Sequence, residues 1–360
     1  MTDTPPRVFQ KVKIGGVDWD NSVVSLEVED HDRLLDKATI VVRDSVGMNH
    51  EAIHLGNEVV IELGWESEHA KIFQGLVQRA PSVDGNTLTV IAYDMGSKMH
   101  VKASPKTHKG TLSAILKKIV SDSGIAIAQI EPDPDPDFKE LVQGPVTDWQ
   151  FIQMLAVRFR CRGFVETDVD QPKFYFISEQ KLARQSPVTK LYACTGFGEV
   201  VNIDHQRVST RALPYRVSAV IDPNDGSIVS KEAPPPAPPT PATPNAERQQ
   251  KAQAMGLGDS AQAALDASAA ASVDPTVGPQ LAAAGLPSDS VLVDALARPD
   301  PTTIMGFRAT ATVSGNVKLR AKSKVAIDGI SGSIDGDWYV RLARHMVSEG
   351  AYKTMLEMTR

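Results

Sequence analysis

The residues best suited to chemistry form a short motif, His50-Glu51-Ala52-Ile53-His54, which matches the pattern H-E-x-x-H. On an α-helix this spacing places two histidines on one face to hold zinc, with the glutamate as general base. Gly47 and Gly56 bracket the motif and leave room for barely two helical turns. The flanking segments alternate like strands, and no third ligand follows at the spacing of known zinc proteases. The sequence therefore favours a polar loop with one helical turn.

The other candidates for chemistry lack suitable partners. Asp133, Asp135 and Asp137 alternate with prolines, whereas a calcium loop needs flexible spacing, a turn glycine and a downstream glutamate. A stiff, solvated loop is therefore predicted there. His205 lies in an alternating segment with no serine or cysteine in a recognisable nucleophile setting, which favours packing or exposure. His345 lies in a predicted helix and is expected at its surface or at an interface.

Cys161 and Cys194 are the only cysteines. They are predicted to be free thiols of a protein made in a reducing cytoplasm, although counting alone leaves a disulfide open. The sequence shows no glycine loop that would cradle a phosphate and no nucleophile elbow. We therefore expect no catalytic residue, no cofactor-binding residue and no metal-binding residue.

Length and charge limit the class of protein. The chain of 360 residues is long enough for two or three domains. Its net charge of −6 and its pI of about 5.8 argue against nucleic acid as a partner, because phosphate binding needs clustered Lys and Arg. There is no run of about 18 apolar residues, and the N-terminus lacks the apolar core of a secretory signal. We expect no membrane insertion.

Residues 1–100 are predicted to form an antiparallel β-barrel, because alternating apolar and polar segments recur between glycine-containing turns. These segments are Val23–Glu29, Ala38–Arg43, Glu58–Leu63, Ala70–Val77 and Asn86–Tyr93. Residues 101–187 are predicted to form a small α/β domain. Its first helix would end at Gly124, and Thr147 or Asp148 would cap a second helix that precedes a β-hairpin of Phe164–Thr167 and Lys173–Ile177.

A second β-barrel is predicted in two parts, 188–231 and 304–360, separated by a Pro/Ala-rich insertion or linker at 232–303. Its expected strands are Lys190–Cys194, Val200–His205, Arg216–Ile221, Phe307–Val313 and Ala321–Ile327. The insertion begins with seven prolines in Glu232–Pro244, which favours extended chain, and continues with weak helical stretches at Glu247–Met255 and Ala261–Ala271. Its composition buries too little apolar surface to offset its ordering entropy, so we expect it to lie outside the barrel cores.

The C-terminal end combines two patterns. Arg341–Glu349 is predicted to be a helix that stops at Gly350, and the following residues up to Met358 alternate like a strand. Trp338, Tyr352 and Leu356 are expected in the barrel core, and the proposed helix would bury one face. Its expected buried residues are Val340, Leu342 and Met346.

Several motifs resemble the phage late control D family and the hub part of VgrG. The Asp337–Arg360 ending resembles the C-terminus of that family, and "DRLLDKATIVVRDS" (Asp32–Ser45) resembles part of its first barrel. The family patterns G-x-x-V-x-I-x-x-G and F-x-G-x-V are matched by Gly56, Val59, Ile61, Gly64, Phe73, Gly75 and Val77. Ala92-Tyr93-Asp94 and the helix start Thr147–Ile152 also fit. The resemblance covers residues 10–230 and 304–360.

This resemblance implies a mainly β fold with a small α/β domain and two related antiparallel β-barrels, the second interrupted by the insertion. It implies a structural baseplate hub, not an enzyme, whose homotrimeric ring joins the central spike to the tail tube of a contractile phage tail or injection system. The implied partners are a separate spike protein, a tube or tube-initiator protein, wedge proteins and a tape-measure protein. Such a hub would be assembled in the cytoplasm and become part of a virion tail or an injection particle. The alternatives are a zinc hydrolase using His50, Glu51 and His54, and a cell-wall-binding module.

Overall fold

A computed structural model describes residues 7–44, 49–103, 105–167, 170–193, 199–207, 216–221, 228–232, 280–281, 307–330 and 334–360. Their contacts divide the chain into two compact units. Unit 1 comprises Met1–Ser178, Ala311–Ser323 and Val340–Glu357, and unit 2 comprises Glu179–Thr310, Lys324–Tyr339 and Met358–Arg360. The five-part division proposed from composition remains a prediction.

The fold is mainly antiparallel β, as predicted. The chain begins with β1 (Val8–Ile14), β2 (Val17–Asp18), β3 (Val23–His31), β4 (Lys37–Arg43), β5 (Glu58–Trp65), β6 (Glu68–Asp84), β7 (Thr87–Asp94), β8 (Lys106–Thr111), α1 (Leu112–Asp122), β9 (Ala126–Glu131), β10 (Asp137–Gln143), α2 (Asp148–Arg158), β11 (Cys161–Glu166) and β12 (Lys173–Ser178). It continues with α3 (Glu179–Ala183), β13 (Thr189–Tyr192), β14 (Val200–Arg207), β15 (Arg216–Ile221), β16 (Ile228–Glu232), β17 (Gln280–Leu281), β18 (Phe307–Ser314), β19 (Lys324–Asp328), β20 (Gly336–Ser348) and β21 (Ala351–Thr359). Strands β18, β20 and β21 contribute residues to both units.

The first part of unit 1 is a curved sheet with the strand order β21-β20-β3-β4-β7-β6-β5-β1-β2. Its strands alternate between a buried and a more exposed face; Ala38, Ile40 and Val42 of β4, for example, have no exposed surface. The core includes Val12 from one end of the strand order and Tyr352 from the other. The sheet therefore wraps around a single apolar core, because burying one face of every strand removes the most apolar surface from water.

Two glycines of the family-like motifs allow strands to approach closely. A Cβ on Gly75 of β6 would lie 2.1 Å from the carbonyl oxygen of Tyr93, and one on Gly64 would lie 2.3 Å from that of Glu68. Gly64 also has φ +153°, a conformation that L side chains rarely adopt. These positions therefore require glycine for steric reasons.

The α/β part of unit 1 has the predicted helices. Thr111 caps α1, and Thr147 caps α2 through a capping box with Gln150. α1 ends at Asp122, close to the predicted stop at Gly124. Strands β11 and β12 form the expected antiparallel hairpin, and β9 joins β12 in parallel. Both helices bury the apolar face that the 3.6-residue period indicates.

In unit 2, β13 pairs in parallel with β19, which pairs antiparallel with Gly336–Tyr339 of β20. Trp338 has no exposed surface, and its indole N–H donates to the carbonyl oxygen of Ile334 at 2.7 Å. Trp338 is therefore a core residue of unit 2, as predicted. Tyr352 and Leu356 belong to unit 1 and are also buried, but Tyr352 packs in the apolar core of the first sheet and not in that of a second barrel.

The predicted helix Arg341–Glu349 is wrong, because this segment lies in strand β20 and the turn after it. Its residue types favour helix, and the strand alternation changes phase where Leu342 and Ala343 are both buried. Glu349 and Gly350 have positive φ values of 51° and 78°, which join β20 to β21 through a tight hairpin turn. Gly350 thus serves a hairpin, not a helix end.

Strand β19 also begins later than the predicted Ala321–Ile327, because Lys322 has a left-handed φ of 64° that a strand does not accept. The weak helices expected at Glu247–Met255 and Ala261–Ala271, and nearly all of the insertion, lie outside the described residues. Among the described residues, no helix is both long and apolar enough to cross a membrane.

Gly75→Ala should destabilise unit 1 by about 3 kcal/mol or more, because the added methyl group meets a backbone carbonyl that cannot move without breaking the sheet. Chemical denaturation of the purified variant measures this loss. Gly144→Ala is the matched control, since a Cβ there meets nothing within 4 Å. Equal unfolding free energies for the two variants would contradict the steric argument.

Candidate functional site

The H-E-x-x-H segment lies in the connection between β4 and β5. A 3-10 helix covers only Asn49–Ala52 and ends two residues before His54. The chain then turns, with the His54 N–H donating to Asn57 Oδ1 at 2.8 Å. The segment therefore does not form the α-helix that the zinc arrangement requires. The predicted loop with one helical turn is confirmed.

The acidic loop between β9 and β10 supports a helix. Asp133, Asp135 and Asp137 are exposed, as predicted. Asp135 accepts hydrogen bonds from the Ser113 N–H at 2.8 Å and from the Ser113 hydroxyl at 2.6 Å, so it caps the first turn of α1. His205 is exposed on β14. Across the described ranges, no group of three or more His, Cys, Asp or Glu side chains is placed to hold a metal ion.

Cys161 is a buried free thiol, and Cys194 lies outside the described residues. Burial raises the pKa of the Cys161 thiol to about 12. The thiol is therefore protonated at neutral pH, which makes it a poor nucleophile and a poor metal ligand.

The prediction for His345 is wrong, because this residue lies in strand β20 with no exposed surface. Its Nε2 is 3.0 Å from the carbonyl oxygen of Leu319, and its Nδ1 is 2.8 Å from the Tyr352 hydroxyl. A carbonyl can only accept, so Nε2 carries the proton and Tyr352 donates to Nδ1. Burial, assisted by the charge of Arg320, lowers the pKa of His345 to about 4. The ring is therefore neutral at pH 7.

Four buried or half-buried charges in unit 1 form a closed ring of alternating sign. Lys322 Nζ lies 2.5 Å from Asp30 Oδ1 and 3.3 Å from Glu166 Oε2. Arg320 Nε lies 2.5 Å from Asp30 Oδ2, and its Nη2 closes the ring on Glu166 Oε1. We call these four residues the ion ring. It joins β3, β11 and the segment between β18 and β19.

The ring compensates for the burial of its charges. Burial favours the neutral form of Asp30, but the attraction of Lys322 and then of Arg320 outweighs it and lowers the pKa of this carboxyl. Burial likewise opposes the charge of Lys322, but the attraction of Asp30 raises the pKa of its amine well above the ordinary value. Asp30 is charged at neutral pH because Lys322 and Arg320 are charged, and Lys322 is charged because Asp30 is charged.

Two further carboxyl groups lie behind the ring. Asp36 Oδ1 is 3.7 Å from Lys322 Nζ, and the Asp36 N–H donates to Asp94 Oδ2 at 2.6 Å. The Gly96 N–H donates to Asp94 Oδ1 at 2.6 Å. Burial raises the pKa of Asp94 to about 7, and burial together with the charge of Asp30 raises the pKa of Asp36 well above its ordinary value.

The segment Gly315–Ser323, here called the clasp, carries two members of the ion ring and has no regular secondary structure. The Trp65 indole donates to the Gly315 carbonyl oxygen at 2.7 Å, and the Asn316 N–H donates to Thr354 Oγ1 at 3.1 Å. Its middle is held by His345, and its end by the hydrogen bond from the Lys322 N–H to the Val340 carbonyl at 2.9 Å. Polar contacts therefore replace a strand ladder along the clasp.

This arrangement suits a structural role. The charged groups of the ion ring neutralise one another, and together they join three parts of the chain inside unit 1. None of the four was predicted from the sequence as a functional residue. The available signal was a run of cations at alternate positions, Lys318, Arg320, Lys322 and Lys324, together with Asp30 near the end of an alternating strand.

Solved structures with this fold include a tail protein, a prophage tail protein and a component of a secretion system. The tail protein from Neisseria meningitidis MC58 superposes with a TM-score of 0.64 at 14% identity, over 98% of this chain and 96% of that chain. The prophage MuSo2 43 kDa tail protein from Shewanella oneidensis gives 0.63 at 11% identity, over 99% and 98%. The E. coli c3393 protein, a component of the type VI secretion system, gives 0.56 at 9% identity, over 97% and 76%. At these identities the similarity establishes the fold.

Residues 6–191 match the family model described as the Alg8 N-terminal domain. The match spans more than half of the 360 residues, and the chain therefore belongs to this family. No curated protein matches the chain.

Replacing both His50 and His54 with Ala should change the unfolding free energy by no more than about 0.5 kcal/mol, because they lie in the connection between β4 and β5 and not in a long buried helix. Thermal unfolding and metal analysis of wild type and variant measure the effect. Stoichiometric zinc in the wild type that disappears in the variant would contradict this expectation.

Arg320→Met should destabilise the protein by about 3–5 kcal/mol, because it leaves the buried Asp30 with one cation in place of two. Lys318→Met is the matched control in the same segment. Lys318 pairs with Glu68 at 2.6 Å, but both side chains are more than half exposed, so its removal should cost less than about 1 kcal/mol. Denaturant unfolding distinguishes the two; a loss for Arg320→Met as small as the control's would show that the ring is dispensable.

Proposed function

We propose that this chain is a structural baseplate hub, whose ring joins a central spike to a tail tube in a contractile tail or phage-like injection system. One observation carries the proposal: the fold matches that of two tail proteins over nearly the full length of this chain and of each of theirs. A match of this extent supports a role like that of a whole tail protein, which a shared small barrel alone would not do.

Other structural neighbours support the same assignment. The chain also superposes on a chain of the Francisella PdpA-VgrG complex with a TM-score of 0.57 at 8% identity, covering 99% of this chain and 58% of that one. The proposal therefore includes a spike protein as a partner, together with tube or tube-initiator, wedge and tape-measure proteins. The particle would be a virion tail or an injection particle assembled in the cytoplasm.

The proposed role requires no catalytic step. The ion ring and the sheet around it give the chain the rigidity that an assembled hub under mechanical load needs, because a closely packed interior resists deformation. The H-E-x-x-H segment adds no support for a hydrolase, since its histidines lie on either side of the end of a 3-10 turn.

The hub should be a homotrimer, because three copies with two related barrels each provide six similar surfaces for a tube and three for a spike. Native mass spectrometry of the purified hub–spike complex, and counting of copies in cryo-electron micrographs of whole particles, test this stoichiometry. Three copies per particle are expected. Six or twelve copies, or absence of the protein from assembled particles, would overturn the proposal.

A further inference from the structure

His345 occupies the centre of a hydrogen-bonded chain with a fixed direction. The Asn316 N–H donates to Thr354 Oγ1, which lies 3.3 Å from His345 Nδ1. The Tyr352 hydroxyl donates to the same Nδ1 at 2.8 Å. His345 Nε2 then donates to the carbonyl oxygen of Leu319. The neutral ring is thus the link between Leu319 of the clasp and Tyr352 of β21, and it can fill both roles only while Nδ1 has no proton.

The surroundings of His345 disfavour a second proton on its imidazole ring. The clasp brings the positive charge of Arg320, and β3 brings Asp30. Both carboxylate oxygens of Asp30 are already committed, one to Lys322 and the other to Arg320 and the Ala321 N–H. From β21, the hydroxyls of Tyr352 and Thr354 lie 2.8 and 3.3 Å from the imidazole Nδ1. A protonated imidazole would therefore be a buried cation with no carboxylate free to pair with it.

We propose that His345 is an acid-sensitive latch: its neutral ring holds the clasp against β21, and its protonation in mild acid releases the clasp while the sheet of β3 to β7 stays folded. The difference in local stability supports selective release. The clasp is fixed by individual polar contacts, by its two members of the ion ring and by the buried side chains of Leu319 and Ala321, whereas β4 and β7 share a continuous antiparallel ladder with a buried apolar face.

The direction in which clasp stability changes with pH follows from the pKa of the His345 imidazole in the folded protein and in the released clasp. In the folded protein the pKa of His345 is about 4, and in the released clasp it returns to its ordinary value of 6.5. The contribution to clasp stability is therefore complete above pH 6.5 and is lost as the pH falls towards 4. The raised pKa values of Asp94 and Asp36 act in the opposite direction, because their protonation in mild acid favours the folded state. A comparison of variants at position 345 separates the two effects.

Hydrogen exchange measured by mass spectrometry tests the latch. Protection factors, corrected for the intrinsic exchange rate at each pH, are obtained for peptides that span Gly315–Ser323 at pH 7.5 and pH 5. The comparison uses wild type, His345→Gln and the matched control His205→Gln, which changes an exposed histidine on β14. Glutamine can donate to Leu319 and accept from Tyr352 but does not titrate.

In wild type and in His205→Gln, the pKa difference predicts a loss of clasp protection on the order of 30-fold between pH 7.5 and pH 5, beyond any change seen in His345→Gln. Peptides from β4 and β7 should keep their protection. An equal pH response in wild type and His345→Gln would overturn the assignment of His345, and parallel loss in β4 and β7 would overturn local release.

If His345→Gln does not fold, the wild-type protein still decides the matter. Nitrogen-15 spectra of labelled histidine should show one ring that keeps its proton on Nε2 and stays neutral at pH 5.5, while exposed histidines titrate near their ordinary pKa. A spectrum in which every ring titrates near 6.5, or in which the buried ring carries its proton on Nδ1, would contradict the latch. Both outcomes are independent of whether the protein forms a trimer.

Discussion

The mutual satisfaction of four charges inside unit 1 is the interaction on which the placement of the clasp depends. Asp30, Glu166 and the pair Arg320 and Lys322 come from three parts of the chain far apart in sequence. An unpaired buried charge costs several kcal/mol, so an arrangement that displaces any one of these segments leaves another charge unpaired. A shift of the clasp by one residue would put Ala321 where a cation is needed. The ring therefore determines the register of the clasp more than it adds to stability.

Because the clasp belongs to the last part of the sequence, the pairing of its charges affects how the chain folds. Residues from the last part of the chain, including Val347 and Tyr352, belong to the same apolar core as β1 to β7. The core is thus complete only when the C-terminal strands have returned from beyond the insertion. Contacts of such long sequence separation form late, because a large loop must close before they stabilise the fold. Specific charge pairing helps the returning segment to select one position among several apolar alternatives.

Local signals in the sequence predicted the elements that depend on local physics. Alternation indicated the strands of the first sheet, and Thr147 with Gln150 identified the start of α2, because a capping box requires only neighbouring residues. The strand containing His345 was missed, since its residues favour helix and its alternation is interrupted at Leu342 and Ala343. The ion ring was missed for a different reason: Asp30 and Arg320 are 290 positions apart, and no periodicity links them.

Tail proteins with the same fold have low sequence identity to this chain, which shows that the fold tolerates substitution at most positions. At 14% identity over 98% of the chain, most side chains differ although the backbone path is shared. Alternation tolerates such change, because many apolar residues of similar volume can cover one face of a strand. Two requirements in this chain are not of that kind. Gly75 admits no side chain beside the Tyr93 carbonyl, and Asp30 requires cations from the clasp. Whereas apolar positions can drift one at a time, a buried charge and its partners can be replaced only together, and this coupling makes the joint between the clasp and the first sheet the least adaptable part of unit 1.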